Sequence, residues 1–298
     1  MRAAAIAGAA GLVLAVTGAC APPGETSSGP GTPTAVTSTS APTSTTATSS
    51  SAPTPTYRSP EDIYLLHNAL YSAGQVRPVA CKLPDIALRT RKAVQQYSAA
   101  LVDCLQRAWK PLVDRTDSLL TPPGLHTVDQ GARTGCGVVD DEDEAFYCGD
   151  NTGIYLDWDA YLEEDPGDRV EVSIYLQFVV AHEFGHHLQH LVGISTQFDL
   201  RLEDSAGAAQ LEQTRRHELQ ASCFAAAFLG AHQRTLDLTG DELELYEWVA
   251  HTGDDDDPPA PTPDHGTRKS NTAWTDAGFK AKSPAACNTW VVPASRVT

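Results

Sequence analysis

Ala181-His182-Glu183-Phe184-Gly185-His186-His187 is the stretch whose reading decides this chain. On an α-helix, residues four apart lie one above the other on one face. His182 and His186 can therefore offer two imidazole nitrogens to one metal ion, and Glu183 can reach a water bound there. The flanks favour a helix. Leu176, Val180, Phe184, Leu188 and Leu191 recur at helical spacing. Gly193 is placed to end the helix, and Asp168 to cap a start near Gly167-Asp168, which makes a long, central, buried element. His190 lies one turn too far along to share the ion, so His187 and His190 read as solvated or as neighbours of the ligands.

A catalytic zinc site takes three protein ligands. The metzincin arrangement is excluded, because Gln189 and Val192 stand where its Gly and third His would be. A Glu from a later helix is the other common solution. The run His217-Glu218-Leu219-Gln220-Ala221-Ser222-Cys223 offers Glu218; Glu212 and His217 compete with it, and Glu203 more distantly. A developing oxyanion needs a donor besides the metal. His265 ranks first for that part, ahead of Tyr155 and His217.

Outward from this centre the chain changes character. Residues 1–20 carry Arg2, an apolar run from Ala3 to Val16, then Thr17-Gly18-Ala19-Cys20. This reads as a signal peptide with a lipobox-like Cys20, the residue that lipidation would modify; ordinary secretion is the alternative. Residues 21–57 are nearly all Ser, Thr, Pro, Ala and Gly, a composition that cannot bury a core, and read as a disordered linker. Residues 58–298 form the folded domain. The expected location is extracytoplasmic, anchored to the cell membrane as a lipoprotein. A net charge of −17 with no basic concentration excludes nucleic acid. Acids cluster at Asp140–Glu144, Glu163–Asp165 and Asp254–Asp257; they read as solvated loops without the ligand spacing of an EF-hand.

Six cysteines follow Cys20. An even number behind a secretory signal implies disulfides, and no CxxC pair suggests a cysteine metal site. About fifteen pairings are open; local closure favours Cys81–Cys104 and Cys136–Cys148, leaving Cys223–Cys287. A short helix is expected over Pro60 to Tyr71 and an amphipathic one from Asp85 to Trp109, stopped by Pro111. Strands begin near Leu125. Gly137–Val139 and Ala145–Cys148 are expected to form a hairpin around the acidic turn. Ile154-Tyr155-Leu156 reads either as a sheet edge beside the cleft, where an extended peptide could add as a strand, or as a plain core strand. Helices follow over Glu203 to about Gly230 and over 239–252, and the tail from His265 to Cys287 folds back. The class is α+β: a small antiparallel sheet, the HExxH helix and a helical C-terminal lobe.

Several blocks together resemble the bacterial family called "putative neutral zinc metallopeptidase". They are Gly135-Cys136-Gly137, Ala145-Phe146-Tyr147-Cys148, Ile154-Tyr155-Leu156-Asp157, Ala181–His187, Glu218–Cys223, His265-Gly266-Thr267 and Pro284-Ala285-Ala286-Cys287. The resemblance implies a zincin-like fold, zinc held by His182, His186 and Glu218, Glu183 as catalytic base, and a peptide or protein substrate. That family usually reads Asp where this chain has Ser222, a position that supports a ligand His. Loss of that charge implies weaker zinc affinity, or support from another acid. Two other readings stand beside the hydrolase. One is a membrane-tethered binding or scaffolding lipoprotein on the same fold; the other is zinc storage by His187, His190 and the acidic loops.

Overall fold

The computed structural model describes residues 59–140, 144–160, 169–256 and 259–298. Cys20, the signal segment, the linker and the helix start at Gly167-Asp168 lie outside them. Among the described residues no helix is long and apolar enough to cross a membrane. The architecture is α+β, with a small sheet and many helices.

The segment Pro60 to Tyr71 forms two single turns, Asp62–Leu66 and Ala69–Ser72, rather than one helix. Helix α1 (Arg91–Val113) starts six residues later than expected, because Thr90 supplies the cap: its side chain accepts from Ala93 N–H at 3.2 Å. Pro111 does not stop the helix. Its ring costs one helical hydrogen bond, but Leu112 and Val113 beyond it are 3% and 0% exposed, and their burial holds the last turn. Val94, Leu101, Cys104 and Leu105 share the buried face, and Trp109 meets Phe224 edge to face at 5.7 Å.

Five short strands follow among the described residues: β1 (Gly124–Val128), β2 (Arg133–Thr134), β3 (Gly137–Val138), β4 (Ala145–Cys148) and β5 (Gly153–Asp157). The strand pairing and the sheet type differ from expectation. β3 pairs with β2, not β4, and β4 pairs with β5 through Tyr147 opposite Ile154. The short link Gly149–Thr152 closes β4 onto β5 at less entropic cost than the longer acidic turn would. The main sheet is mixed rather than antiparallel: β1 runs parallel to β5 in the order β1-β5-β4. Ile154-Tyr155-Leu156 is therefore the central strand, the core alternative, buried along its length, and β1 and β4 are the edges.

Helix α2 (Arg169–Leu191) carries the HEFGH stretch and is buried on all sides from Phe178 to Gln189, its polar side chains included. Gly193 turns the chain with φ of 80°, a conformation that favours glycine, and a Cβ there would stand 2.7 Å from the Tyr64 ring. The expected single helix from Glu203 to Gly230 is two, α3 (Ile194–Glu203) and α4 (Ala208–His232), broken at Asp204–Gly207. Then come α5 (Asp241–Ala250) and α6 (Arg268–Ala281); α4 packs along α2 on one side and α6 on the other.

The disulfides are Cys81–Cys104, Cys136–Cys148 and Cys223–Cys287, the pairs that local closure and elimination favoured. The last ties α4 to the folded-back tail. Of the acids at 254–256, Asp254 is buried and Asp256 half-buried, while Asp255 is exposed. Asp255 accepts from the Arg268 backbone N–H at 2.6 Å, at the start of α6, and Asp256 pairs with the Arg268 side chain at 2.6 Å. The unsatisfied donors and dipole of that helix end attract them.

Candidate metal centre

Helices α2 and α4 cross at Gly185. A Cβ on that residue would stand 2.9 Å from the Ala221 carbonyl oxygen and 3.0 Å from its Cα, so glycine is what lets the backbones approach. The approach places Glu218, one turn before Ala221, against both histidines of α2. Ser222, four residues after Glu218, falls on the same face.

Three atoms form a tight triangle. Glu218 Oε2 lies 3.2 Å from His182 Nε2 and 3.0 Å from His186 Nε2, and the two imidazole nitrogens are 3.0 Å apart. A tetrahedral zinc ion with bonds of about 2.0–2.1 Å would hold its ligand atoms about 3.3 Å apart. Two nitrogens and one carboxylate oxygen are also its customary donors, so the residues present fit zinc. The outer nitrogens are engaged: His182 Nδ1 with Ser222 Oγ at 3.1 Å, and His186 Nδ1 with Gln189 Oε1 at 2.9 Å. Such partners orient metal-binding imidazoles.

Glu183 follows His182 on α2, is 6% exposed, and receives the backbone N–H of Tyr147 on β4. Burial pushes its carboxyl up to about 7. Burial pushes His182 down to about 4, against the pull of Glu218. For His186 burial works downward as well, but the Glu218 carboxylate prevails and raises it. Glu218 is itself kept well below the usual carboxylate range, where the surrounding histidines outweigh burial. The cluster is thus organised around one negative charge.

His265 joins it. Its Nε2 lies 3.5 Å from Glu218 Oε2 and its Nδ1 donates to Asp264 Oδ1 at 2.8 Å. Burial opposes a charge on this ring, but Asp264, Glu218 and Asp254 together raise its pKa to about 9. The other sequence candidates are engaged differently. His217 stacks on Phe198 at 4.2 Å, with Nε2 3.2 Å from Ser195 Oγ and Nδ1 3.6 Å from Glu218 Oε1. The Tyr155 ring is sandwiched between His126 and Phe146, and its hydroxyl accepts from Asn151 at 2.7 Å. Glu212 pairs with Arg216 at 2.7 Å. His187 is not solvated: it is 0% exposed, donates from Nε2 to the Thr121 carbonyl at 2.7 Å and accepts at Nδ1 from the Tyr147 hydroxyl at 3.0 Å. It clamps β4 onto α2. Sequence reasoning gave no part in the site to Gln189, Gln220, Asp264 or Tyr147, although Tyr147 and Gln220 stand inside the family blocks and Asp264 is the acid beside His265.

A helix pair that gathers two imidazoles and a carboxylate at one point, with a buried second carboxyl alongside, defines a candidate mononuclear metal centre. The profile of the family described as "Putative neutral zinc metallopeptidase" matches residues 63–290, and the chain belongs to that family. It is 29% identical over 206 residues to "Uncharacterized protein YpfJ" of Escherichia coli (strain K12), covering 65% of this chain and 71% of YpfJ. It is 30% identical over 141 residues to "Uncharacterized protein Mb2605" of Mycobacterium bovis and "Uncharacterized protein Rv2575" of Mycobacterium tuberculosis, covering 45% of this chain and 43% of each relative. No solved structure matches the chain.

Proposed function

We propose that the chain hydrolyses peptide bonds outside the cytoplasm, anchored through Cys20, with zinc held by His182, His186 and Glu218. The observation that carries this is the triangle of ligand atoms at 3.0–3.2 Å beside the buried Glu183 carboxyl, in a family of zinc metallopeptidases. Zinc bound there supplies Lewis acidity toward the scissile carbonyl and the attacking water. Glu183 takes the proton of that water and passes it to the leaving amine. His265, its charged form favoured by Asp264, Glu218 and Asp254, donates to the developing oxyanion.

The peptide is aligned by β4. Asp157 N–H donates to the Glu144 carbonyl at 2.9 Å, which makes that pair and every second one beyond it the hydrogen-bonded pairs. The N–H and C=O groups of Ala145 and the C=O of Tyr147 therefore face away from β5, toward the sheet edge, where an extended substrate can pair, while the Tyr147 N–H is held by Glu183.

The test is hydrolysis of an unstructured protein such as casein by the full chain, with bound zinc counted in parallel. One zinc per chain, loss of activity with a chelator and recovery on adding zinc are expected. Chelator-insensitive hydrolysis, or a zinc-loaded chain with no hydrolysis, would refute the reading; the latter leaves the binding lipoprotein, and several ions per chain would indicate storage.

Ser222 gives a second expectation. Its hydroxyl meets His182 Nδ1 without charge. Ser222→Asp places a carboxylate there and should tighten zinc by roughly 10–100-fold, the amount such partners usually contribute. Competition against a chelator of known affinity measures it.

A further inference from the structure

We propose that Gln189 is a positioning residue that locks His186 in one tautomer, and that its orientation is set by a relay running to Trp290 in the tail. The proposal rests on the zinc reading of His186 given above.

Groups with only one hydrogen-bonding capability fix the relay. The Trp290 indole N–H can only donate, and it lies 3.3 Å from Gln220 Oε1. The Cys287 carbonyl can only accept, and it lies 2.9 Å from Gln220 Nε2, which also donates to the Tyr71 hydroxyl at 2.9 Å. The Gln220 amide therefore has one allowed orientation. Its oxygen accepts again from Gln189 Nε2 at 3.1 Å, and the His217 carbonyl accepts from that same nitrogen at 2.8 Å. Both partners of the Gln189 nitrogen are acceptors, so a flipped amide would set oxygen against oxygen twice. Gln189 and Gln220 are each 0% exposed, and buried amides pay heavily for such contacts.

Gln189 Oε1 is thus fixed toward His186 Nδ1 at 2.9 Å. An amide oxygen only accepts, so Nδ1 carries the hydrogen. Whenever the ring is neutral, Nε2 carries the lone pair, and Nε2 is the atom aimed at His182 Nε2 and Glu218 Oε2. His182 has no such lock: the Ser222 hydroxyl at its Nδ1 can rotate to donate or accept. The two histidines of the motif are therefore held unequally. The far end of the lock sits in the tail that the Cys223–Cys287 disulfide ties to α4.

The experiment compares the full chain with Gln189→Leu, Gln189→Glu and Ser222→Ala. Zinc affinity is measured by chelator competition, and the His186 ring is followed by 15N shifts and Nδ1–H exchange, with and without zinc. Gln189→Leu should weaken zinc by roughly 10–100-fold, more than Ser222→Ala, and its Nδ1–H should exchange freely. Gln189→Glu should stay within about tenfold of the parent, since a protonated carboxyl can accept from Nδ1–H and donate to the His217 carbonyl. Leu and Glu variants equally impaired, or a Leu variant with parental affinity, would overturn the lock. Should Gln189→Leu fail to fold, the unmodified chain decides in chelator above about pH 9, where the ring is neutral: a His186 protonated on Nε2 overturns the proposal, and one protonated on Nδ1 upholds it. A parent chain that binds no zinc but shows the neutral Nδ1–H ring there removes the proposed function and leaves the lock standing.

Discussion

Glu183→Gln is expected to lower hydrolysis by about 10²–10⁴-fold, the usual contribution of a positioned general base, while zinc stays bound. The amide is nearly isosteric and still accepts the Tyr147 N–H, so the fold and the neighbouring ligands have no reason to move. What it cannot do is carry a proton away. The pH profile gives an independent check. Burial pushes the Glu183 carboxyl up to about 7, and only the ionised form acts as a base, so the parental rate falls as pH drops through that region. A bound dication would draw the midpoint lower without reversing the sign. The Gln variant should lose this acid limb together with the rate. A variant that keeps both would show that Glu183 moves no proton.

Glu218→Ala is expected to weaken zinc by more than the roughly 10–100-fold that loss of an outer partner costs, because a direct ligand is gone. Chelator competition reads this, and affinity equal to the parent would remove Glu218 from the site. The substitution should also change the metal-free chain. Glu218 is held below its ordinary pKa, so its stabilisation is present above the unfolded carboxylate value and lost as acid protonates it. His186 is raised to about 9 by the same pair, so its share is present below the unfolded histidine value and lost as pH rises through about 9. Both contributions coexist between those limits. Thermal unfolding in chelator should therefore show the largest deficit of the Ala variant near neutral pH and little deficit in strong acid.

The helix carrying His182, Glu183 and His186 was legible because its information is local: a spacing of four on an apolar segment. The Cys136–Cys148 and Cys81–Cys104 pairs were legible for the same reason of short loops. Strand pairing was not. β4 could close onto either neighbour, and turn length rather than strand composition chose β5. That choice put Ile154–Leu156 at the sheet centre and Ala145–Cys148 at an edge. The α1 boundaries slipped because a Thr hydroxyl and buried packing beyond Pro111 outweighed the local signals Asp85 and Pro111. Gln189 was noticed in the sequence only for not being a glycine. Its partners, His217 and Gln220, lie about a helix further along and reach it only after α2 and α4 have packed. Glu218 stood as one of several acids until the family resemblance singled it out, and the crossing at Gly185 brings it to the two imidazoles.

That crossing has a consequence for how the chain and its ion report on each other. Apart, the two helices present a pair of weak donors and a stray acid. Joined, they present the three donors of the proposed chelate. On that reading, zinc affinity is a gauge of how much of the time the joint is closed, readable in a titration without any spectroscopic label. A substitution far from the ion that loosens the joint will register first as metal lost, before any melting of the helices can be seen.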